Sequence, residues 1–129
     1  MTAESCPACA TVAAARQGKA AALVAELQET FVVLAEHQRY EGWCILLLKD
    51  HEEHLAALDL DRQARIFRDV ARVGKAITAE LAPRRLNFEC LGNRLHHIHW
   101  HVIPRYAWDP QPQDTLWVRP APERETGCA

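Results

Sequence analysis

Three histidines alternate with apolar residues in the last third of the chain. His97, His99 and His101 are separated by Ile98 and Trp100. Successive side chains of a β-strand point to opposite faces, so the three imidazoles would share one face, with neighbours roughly 6 to 7 Å apart. Imidazole exchanges protons near neutral pH and also binds metal ions. The spacing therefore predicts a strand face that carries chemistry.

Spacing alone leaves three interpretations of this pattern open. A chance set of surface or core histidines is disfavoured by the strict alternation and by the nearby turn at Gly92. A metal site is the second interpretation, since neutral imidazoles are good zinc ligands. Direct catalysis is the third, with imidazole as a nucleophile or proton carrier on a phosphate or acyl group.

A Cys-x-x-Cys pair, Cys6 and Cys9, lies near the N-terminus. Such a pair can be redox-active, merely buried, or half of a zinc site that needs two further ligands. The five cysteines are odd in number and irregularly spaced, which is typical of a reducing compartment. Cys44 and Cys90 lie in apolar runs and are predicted to be small core residues, and Cys128 to be an exposed thiol.

Hydrophobic patterning predicts the elements that position these residues. Apolar residues at steps of three and four predict an amphipathic helix over residues 60–81, capped by Asp59 or Asp61 and stopped by Pro83. Predicted strands cover residues 23–27, 31–36, 43–49, 85–92 and 96–104.

The two ends of the chain are predicted to be less regular. Residues 1–22 form an N-terminal segment with the cysteine pair and one or two short helical turns, and prolines make residues 105–129 an extended tail. This order predicts an α+β fold in a single domain, 1–129. An antiparallel sheet of about five strands carries one long helix across a face, and a short N-terminal helix.

Composition narrows the classes of partner. A net charge of -2 disfavours a nucleic-acid partner, and the longest apolar run, Trp43–Leu48, is too short to span a bilayer. No secretory leader pattern is present, so we expect a cytoplasmic protein.

The run His97–Ile103 resembles the signature of the histidine triad superfamily of nucleotidyl hydrolases and transferases, His-φ-His-φ-His-φ-φ with φ apolar. Lys49-Asp50-His51 after the central strand and Gly92-Asn93-Arg94-Leu95 before the triad are also similar to family segments. The resemblance extends as far as Trp117. It implies the family fold, a homodimer and no organic cofactor.

The resemblance also implies a mechanism. His99 would attack the α-phosphorus of a small nucleotide, such as a dinucleoside polyphosphate or a nucleoside phosphoramidate, and form a covalent nucleotidyl intermediate that water hydrolyses. His101 would hydrogen-bond the phosphoryl oxygens, and His97 completes the catalytic set. The nucleotide contacts that it implies are Asn87, Gly92, Asn93 and Arg94 for phosphate, and Glu36 for the ribose hydroxyls.

Some members of this superfamily hold a structural zinc, and the resemblance maps its ligands onto a Cys2His2 set. The implied ligands are Cys6, Cys9, His51 and His97. In the family the C-terminal segment approaches the partner's site across a two-fold dimer, and Trp117 is the candidate for that contact.

Two positions depart from the family pattern. Trp43 stands where hydrolases of the family often have a fourth histidine, and Arg94 stands where a small hydroxyl residue is common. Two alternatives stay open, and these departures favour the first of them. One is a non-catalytic nucleotide-binding or regulatory protein, and the other is a metal-dependent hydrolase that uses the triad as ligands.

Overall fold

A computed structural model describes residues 1–121 and residue 124 of the chain. The helices of this part are α1 (Pro7–Arg16) and α2 (Leu60–Leu81), and the strands are β1 (Leu23–Glu26), β2 (Thr30–Leu34), β3 (Cys44–Leu48), β4 (Arg85–Glu89) and β5 (His99–Arg105). Short 3-10 turns cover Ala3–Ser5, Leu55–Ala57 and Leu116–Val118. Within these residues, neither helix combines the length and the apolar composition needed to cross a membrane.

The strands form one antiparallel sheet in the order β1-β2-β3-β5-β4. β3 is central, and its Leu46 and Leu48 are fully buried, as the apolar run predicts. Across the ladders, His101 of β5 lies opposite Ile45 of β3 and Glu89 of β4. The α+β fold expected from the sequence is therefore confirmed.

Helix α2 begins and ends where the sequence predicts. The Asp59 carboxylate caps it by accepting a hydrogen bond from the Arg62 amide at 2.7 Å. The helix ends at Leu81, and the next residue, Ala82, adopts a left-handed conformation immediately before Pro83. Its apolar stripe packs on one face of the sheet, and the buried residues of this core include Val32, Leu46, Ile66, Val70, Val73, Ile77 and Val102.

The other face of the sheet is covered in two places. Helix α1 packs Val12 against Phe31 and Leu47 at one end. At the other end, the C-terminal segment, which follows β5 and is described over residues 106–121 and 124, packs Leu116 beside Ile103. The side chains of β5 between these two covers face an open space, which is where the site lies.

Strand β5 begins at His99, so the prediction that it begins at residue 96 is wrong. The Ile98 amide donates to the Glu52 carbonyl at 2.8 Å, and the Ile98 carbonyl accepts from the Leu48 amide at 3.1 Å. The second bond keeps Ile98 beside Leu48, the last residue of β3, whereas the first draws the Ile98 amide towards the segment after β3. The side chain of His97 consequently packs beside His51, with ring centroids 5.3 Å apart.

The part of the predicted extended tail that the structure describes packs against the rest of the domain, where Leu116 is fully buried. Arg105 is buried and donates to the Asp109 carboxylate at 2.5 Å and to the carbonyls of Gln111 and Asp114 at 2.8 and 2.7 Å. Prolines prevent regular backbone hydrogen bonding in this segment. The Arg105 guanidinium, which has five N–H groups, holds the segment through its own hydrogen bonds instead. The prediction for Cys128 lies outside the described residues.

The two apolar-run cysteines lie where they were predicted. Cys44 is buried in the core, where burial raises the pKa of its thiol to about 11. Cys90 packs against the same core, and burial raises the pKa of its thiol as well. Both thiols therefore behave as small apolar groups.

Candidate functional site

A cavity of about 380 Å³ opens on the sheet face between the two covers. Strand β5 contributes His99 and His101, whose ring centroids are 5.4 Å apart. The remaining lining residues are Leu91, Gly92, Asn93, Arg94, Leu95, Trp117 and Arg124. The strand alternation therefore brings two of the three predicted imidazoles to one cavity.

His99 is held in one tautomer by the backbone. Its Nδ1 lies 2.7 Å from the carbonyl oxygen of His97. A carbonyl only accepts hydrogen bonds, so Nδ1 must carry the proton and donate it. The lone pair of Nε2 is then free, which is the state that a nucleophilic imidazole needs.

His101 is held in the opposite tautomer. The Trp43 indole N–H donates to its Nδ1 at 3.0 Å, and an indole nitrogen can only donate. Neutral His101 therefore carries its proton on Nε2. Burial, with a smaller contribution from the charge of His99, lowers the pKa of His101 to about 4. At neutral pH this side chain is a neutral hydrogen-bond donor.

Trp117 forms one wall of the cavity. Its ring lies 5.1 Å from that of His101 and 5.8 Å from that of Trp43, both edge-on. Its indole N–H donates to the Glu89 carboxylate, which anchors the C-terminal segment to β4. Trp117 thus contacts the histidine of its own chain, whereas the sequence suggested it for a partner's site.

The predicted nucleotide contacts separate into two groups. Gly92, Asn93 and Arg94 lie in the loop after β4 and line the cavity. Asn87 lies on β4, where its amide oxygen accepts from Arg105 at 2.8 Å, and Glu36 is exposed beyond the end of β2. Neither of these two lines the cavity.

A second cluster unites the four predicted metal ligands. One ligand atom from each of Cys6, Cys9, His51 and His97 lies within 4.8 Å of the other three. The Cys9 sulfur lies 3.2 Å from Nδ1 of His51, and the Cys6 sulfur lies 3.5 Å from Nδ1 of His97. Two sulfurs and two imidazole nitrogens are the donor set that tetrahedral zinc prefers, so these residues fit the ion.

The contacts around the cluster orient its members for a metal. His97 is buried, and its Nε2–H donates to the Leu48 carbonyl at 2.8 Å, which leaves the Nδ1 lone pair facing the cysteines. A metal-binding imidazole is usually fixed in this way by a bond from its other nitrogen. Burial lowers the pKa of His97, which favours the neutral ligand form. The side chain of His97 thus belongs to the cluster, and only its carbonyl reaches His99.

Sequence reasoning did not predict the positions that Trp43, Trp117 and Arg124 take at this site. Trp43 was noted only as a departure from a pattern, yet it shares the face of Ile45 by strand alternation and so reaches His101. Trp117 and Arg124 come from the C-terminal segment, and the Arg124 guanidinium lies 5.2 Å from the Trp117 ring centroid. The sequence signal for packing by this segment was Trp117, a large aromatic residue in a proline-rich stretch.

Comparison with solved structures supports the fold. A member of the HIT family from Bacillus subtilis is 25% identical, with a TM-score of 0.70, and the match covers 92% of this chain and 85% of that one. A HIT family protein from Bacillus anthracis is 24% identical, with a TM-score of 0.69 and 90% of each chain covered. A zinc-bound histidine triad family protein from Mycobacterium smegmatis is 23% identical, with a TM-score of 0.67 and coverage of 84% and 81%.

Comparison at the level of sequence gives a family but no curated relative. No curated protein matches the chain. The family model described as HIT domain matches residues 16–108, a span that includes β1 to β5, the triad and the loop before it. The chain therefore belongs to the HIT domain family.

Proposed function

We propose that this protein hydrolyses or transfers at the α-phosphate of a small nucleotide, with His99 as the nucleophile. Family membership supports a nucleotide-binding or hydrolase-type function at the coarser level. The observation that supports the finer proposal is the bond from Nδ1 of His99 to the His97 carbonyl, because it leaves Nε2 with a free lone pair at the cavity. We take the substrate to carry a phosphoanhydride or a phosphoramidate bond.

Two displacements at phosphorus make up the proposed reaction. In the first, a bond forms between Nε2 of His99 and the α-phosphorus, while the bond to the leaving group breaks and its electron pair departs with that group. The imidazole becomes positively charged, and the His97 carbonyl dipole stabilises this charge through Nδ1–H. In the second, water forms a bond to phosphorus, the P–N bond breaks, and one water proton passes to solvent.

His101 stabilises charge on the phosphoryl group in both displacements. Its Nε2–H points away from the Trp43 bond and donates to a non-bridging oxygen as negative charge builds there. Gly92, Asn93 and Arg94 contact the phosphates from the loop. Asn87 would reach a phosphate through its amide nitrogen, since Arg105 already occupies its oxygen, and Glu36 would bind the ribose.

A structural zinc ion is part of the proposal. Cys6 and Cys9 of the N-terminal segment, together with His51 and His97, would hold it. The zinc-bound neighbour from Mycobacterium smegmatis supports this assignment. When bound, the ion would tie α1 to the residues immediately before β5, so its role is to stabilise the site rather than to act on substrate.

The proposed assembly is a cytoplasmic homodimer of one domain, without an organic cofactor. β4 is the last strand of the sheet order, so one of its edges has no partner strand among the described residues. Phe88 on β4 is 46% exposed, beside Gly74 of α2. An unpaired edge with an exposed aromatic ring suits pairing with a second copy.

One experiment tests the nucleophile directly. Wild-type protein is mixed with a nucleotide substrate, quenched in base because phosphoramidate bonds to histidine are acid-labile, and analysed by intact mass. We expect an adduct of one nucleotidyl group on the wild type and none on His99→Ala. His96→Ala is the matched control, because that neighbouring imidazole is exposed and does not line the cavity.

The alternatives predict other results. An adduct of unchanged yield on His99→Ala would refute the proposal. Turnover that a chelator abolishes in protein that stays folded would favour a metal-dependent hydrolase. Nucleotide binding without adduct or turnover would favour a regulatory protein.

A further inference from the structure

The cavity is poor in proton donors for a leaving group. Trp43 donates to Nδ1 of His101, and an indole cannot reverse that bond by accepting. Protonation of His101 would put a hydrogen on Nδ1, so that two N–H groups would face each other with their nitrogens 3.0 Å apart. The Trp43 contact therefore disfavours the imidazolium form of His101. The proton that remains on Nε2 belongs to a neutral imidazole, which can donate a hydrogen bond but does not release its proton near neutral pH.

The other described residues at the cavity do not replace this missing acid. Arg94 and Arg124 carry guanidinium groups, which stay protonated in proteins. Asn93 offers an amide, and the Glu89 carboxylate is already bonded to the indole of Trp117. Apart from the attacking His99, the described part of the cavity therefore supplies hydrogen bonds and positive charge but no acid.

We infer that Trp43 and Arg94 together determine the leaving group, selecting groups that depart as anions and disfavouring amines. The inference rests on the proposed function and narrows its substrate class to phosphoanhydrides, such as a nucleoside joined to a polyphosphate chain. Trp43 acts as a positioning residue through His101. Arg94 acts as a specificity determinant at the mouth of the cavity.

The electron and proton balance of the first displacement explains this selection. When an anhydride is cleaved, the P–O electron pair stays on the bridging oxygen and gives a phosphate anion. The Arg94 guanidinium would stabilise this anion through a charge-assisted hydrogen bond. When a phosphoramidate is cleaved, the P–N electron pair stays on nitrogen, which must gain a proton to leave. General acid catalysis contributes about 10²–10⁴-fold to such steps, and His101 bonded to Trp43 does not provide it.

Kinetics with two substrates that share one adenylyl group test the inference. We expect wild-type kcat/KM to be at least about 100-fold higher for diadenosine tetraphosphate than for adenosine 5′-phosphoramidate. Trp43→His, which can accept as well as donate, should narrow the ratio by about tenfold or more by accelerating the phosphoramidate. Trp43→Phe is the control, since it removes the donor without adding a titratable group, and it should not accelerate the phosphoramidate.

A second variant keeps the test decisive if Trp43→His fails to fold, since Trp43 is buried. Arg94→Ser should lower kcat/KM for the tetraphosphate by about tenfold or more, the loss expected for a charge-assisted contact, and should affect the phosphoramidate less. Arg68→Ser removes an exposed guanidinium from α2, on the opposite side of the sheet, and should change neither rate.

The outcomes separate this inference from the proposal on which it rests. Phosphoramidate turnover equal to or faster than that of the tetraphosphate, with a His99 adduct still formed, would overturn the leaving-group inference alone. An unchanged ratio in Arg94→Ser, or in Trp43→His where that variant folds, would overturn it as well. Absence of adduct and of turnover with both substrates would refute the proposed function itself.

Discussion

The burial of His101 beside Trp43 predicts that acid destabilises this protein through one histidine. The folded pKa of His101 is about 4, against an ordinary value of 6.5. Between these values the unfolded chain binds a proton that the folded chain does not, so the free energy of unfolding falls as pH drops through this window. Stability from this side chain is fully present above pH 6.5 and is lost as pH approaches 4.

The expected magnitude follows from the two pKa values. Between pH 7 and pH 4.5, proton binding to the unfolded state alone lowers the free energy of unfolding by about 2 kcal/mol. His101→Asn removes the titration and keeps an oxygen that can accept from the Trp43 indole. Over this pH interval, the free energy of unfolding of the variant should therefore fall by about 2 kcal/mol less than that of the wild type.

Urea unfolding at the two pH values measures the difference. The comparison is made between the pH-dependent losses rather than between absolute stabilities, because the substitution also changes packing. His96→Asn, at an exposed histidine, should follow the wild type. Equal losses for the wild type and His101→Asn would refute the argument that the folded protein excludes the proton from this imidazole.

Two further predictions concern the metal cluster and a tight turn. Chelation should lower the melting temperature of the wild type, and Cys6→Ser should remove both that effect and the bound zinc, whereas the control Cys90→Ser should remove neither. At a free zinc concentration 1,000 times the Kd, removal of the ion should lower the free energy of unfolding by about 4 kcal/mol. Unchanged zinc content in Cys6→Ser would contradict the assignment. In urea unfolding, Gly42→Ala should lower the free energy of unfolding by at least about 1 kcal/mol more than Gly18→Ala. Both glycines have positive φ, but only at Gly42 would the new Cβ lie 2.5 Å from the Leu81 Cδ1 methyl group. Equal losses of unfolding free energy in the two variants would contradict that clash.

Local sequence pattern accounts for much of this fold. The three-and-four spacing of apolar residues predicted α2 to its ends, and the Asp59 cap and Pro83 stop are local signals. Alternation predicted that His99 and His101 share a face. The bounds of the strands were less predictable, because the Ile98 amide donates to the Glu52 carbonyl in the segment after β3 and β5 begins only at His99.

The parts of the site that escaped prediction depend on contacts between distant residues. The tautomer of His101 depends on Trp43, which lies immediately before β3 and is 58 positions away in the sequence. The Trp117 wall depends on the packing of the C-terminal segment, which the buried Arg105 holds through three hydrogen bonds, to Asp109, Gln111 and Asp114. Proline content indicates where regular structure is absent, but it does not indicate where the chain packs.

His97 links the two clusters through different parts of the same residue. Its imidazole faces the cysteines, and its carbonyl holds Nδ1 of His99. Every amino acid brings a carbonyl, so a substitution at position 97 can remove a proposed metal ligand and still leave the hydrogen-bond acceptor for His99. The proposed metal site and the proposed nucleophile can therefore be lost or gained independently during evolution, although their residues are only two positions apart.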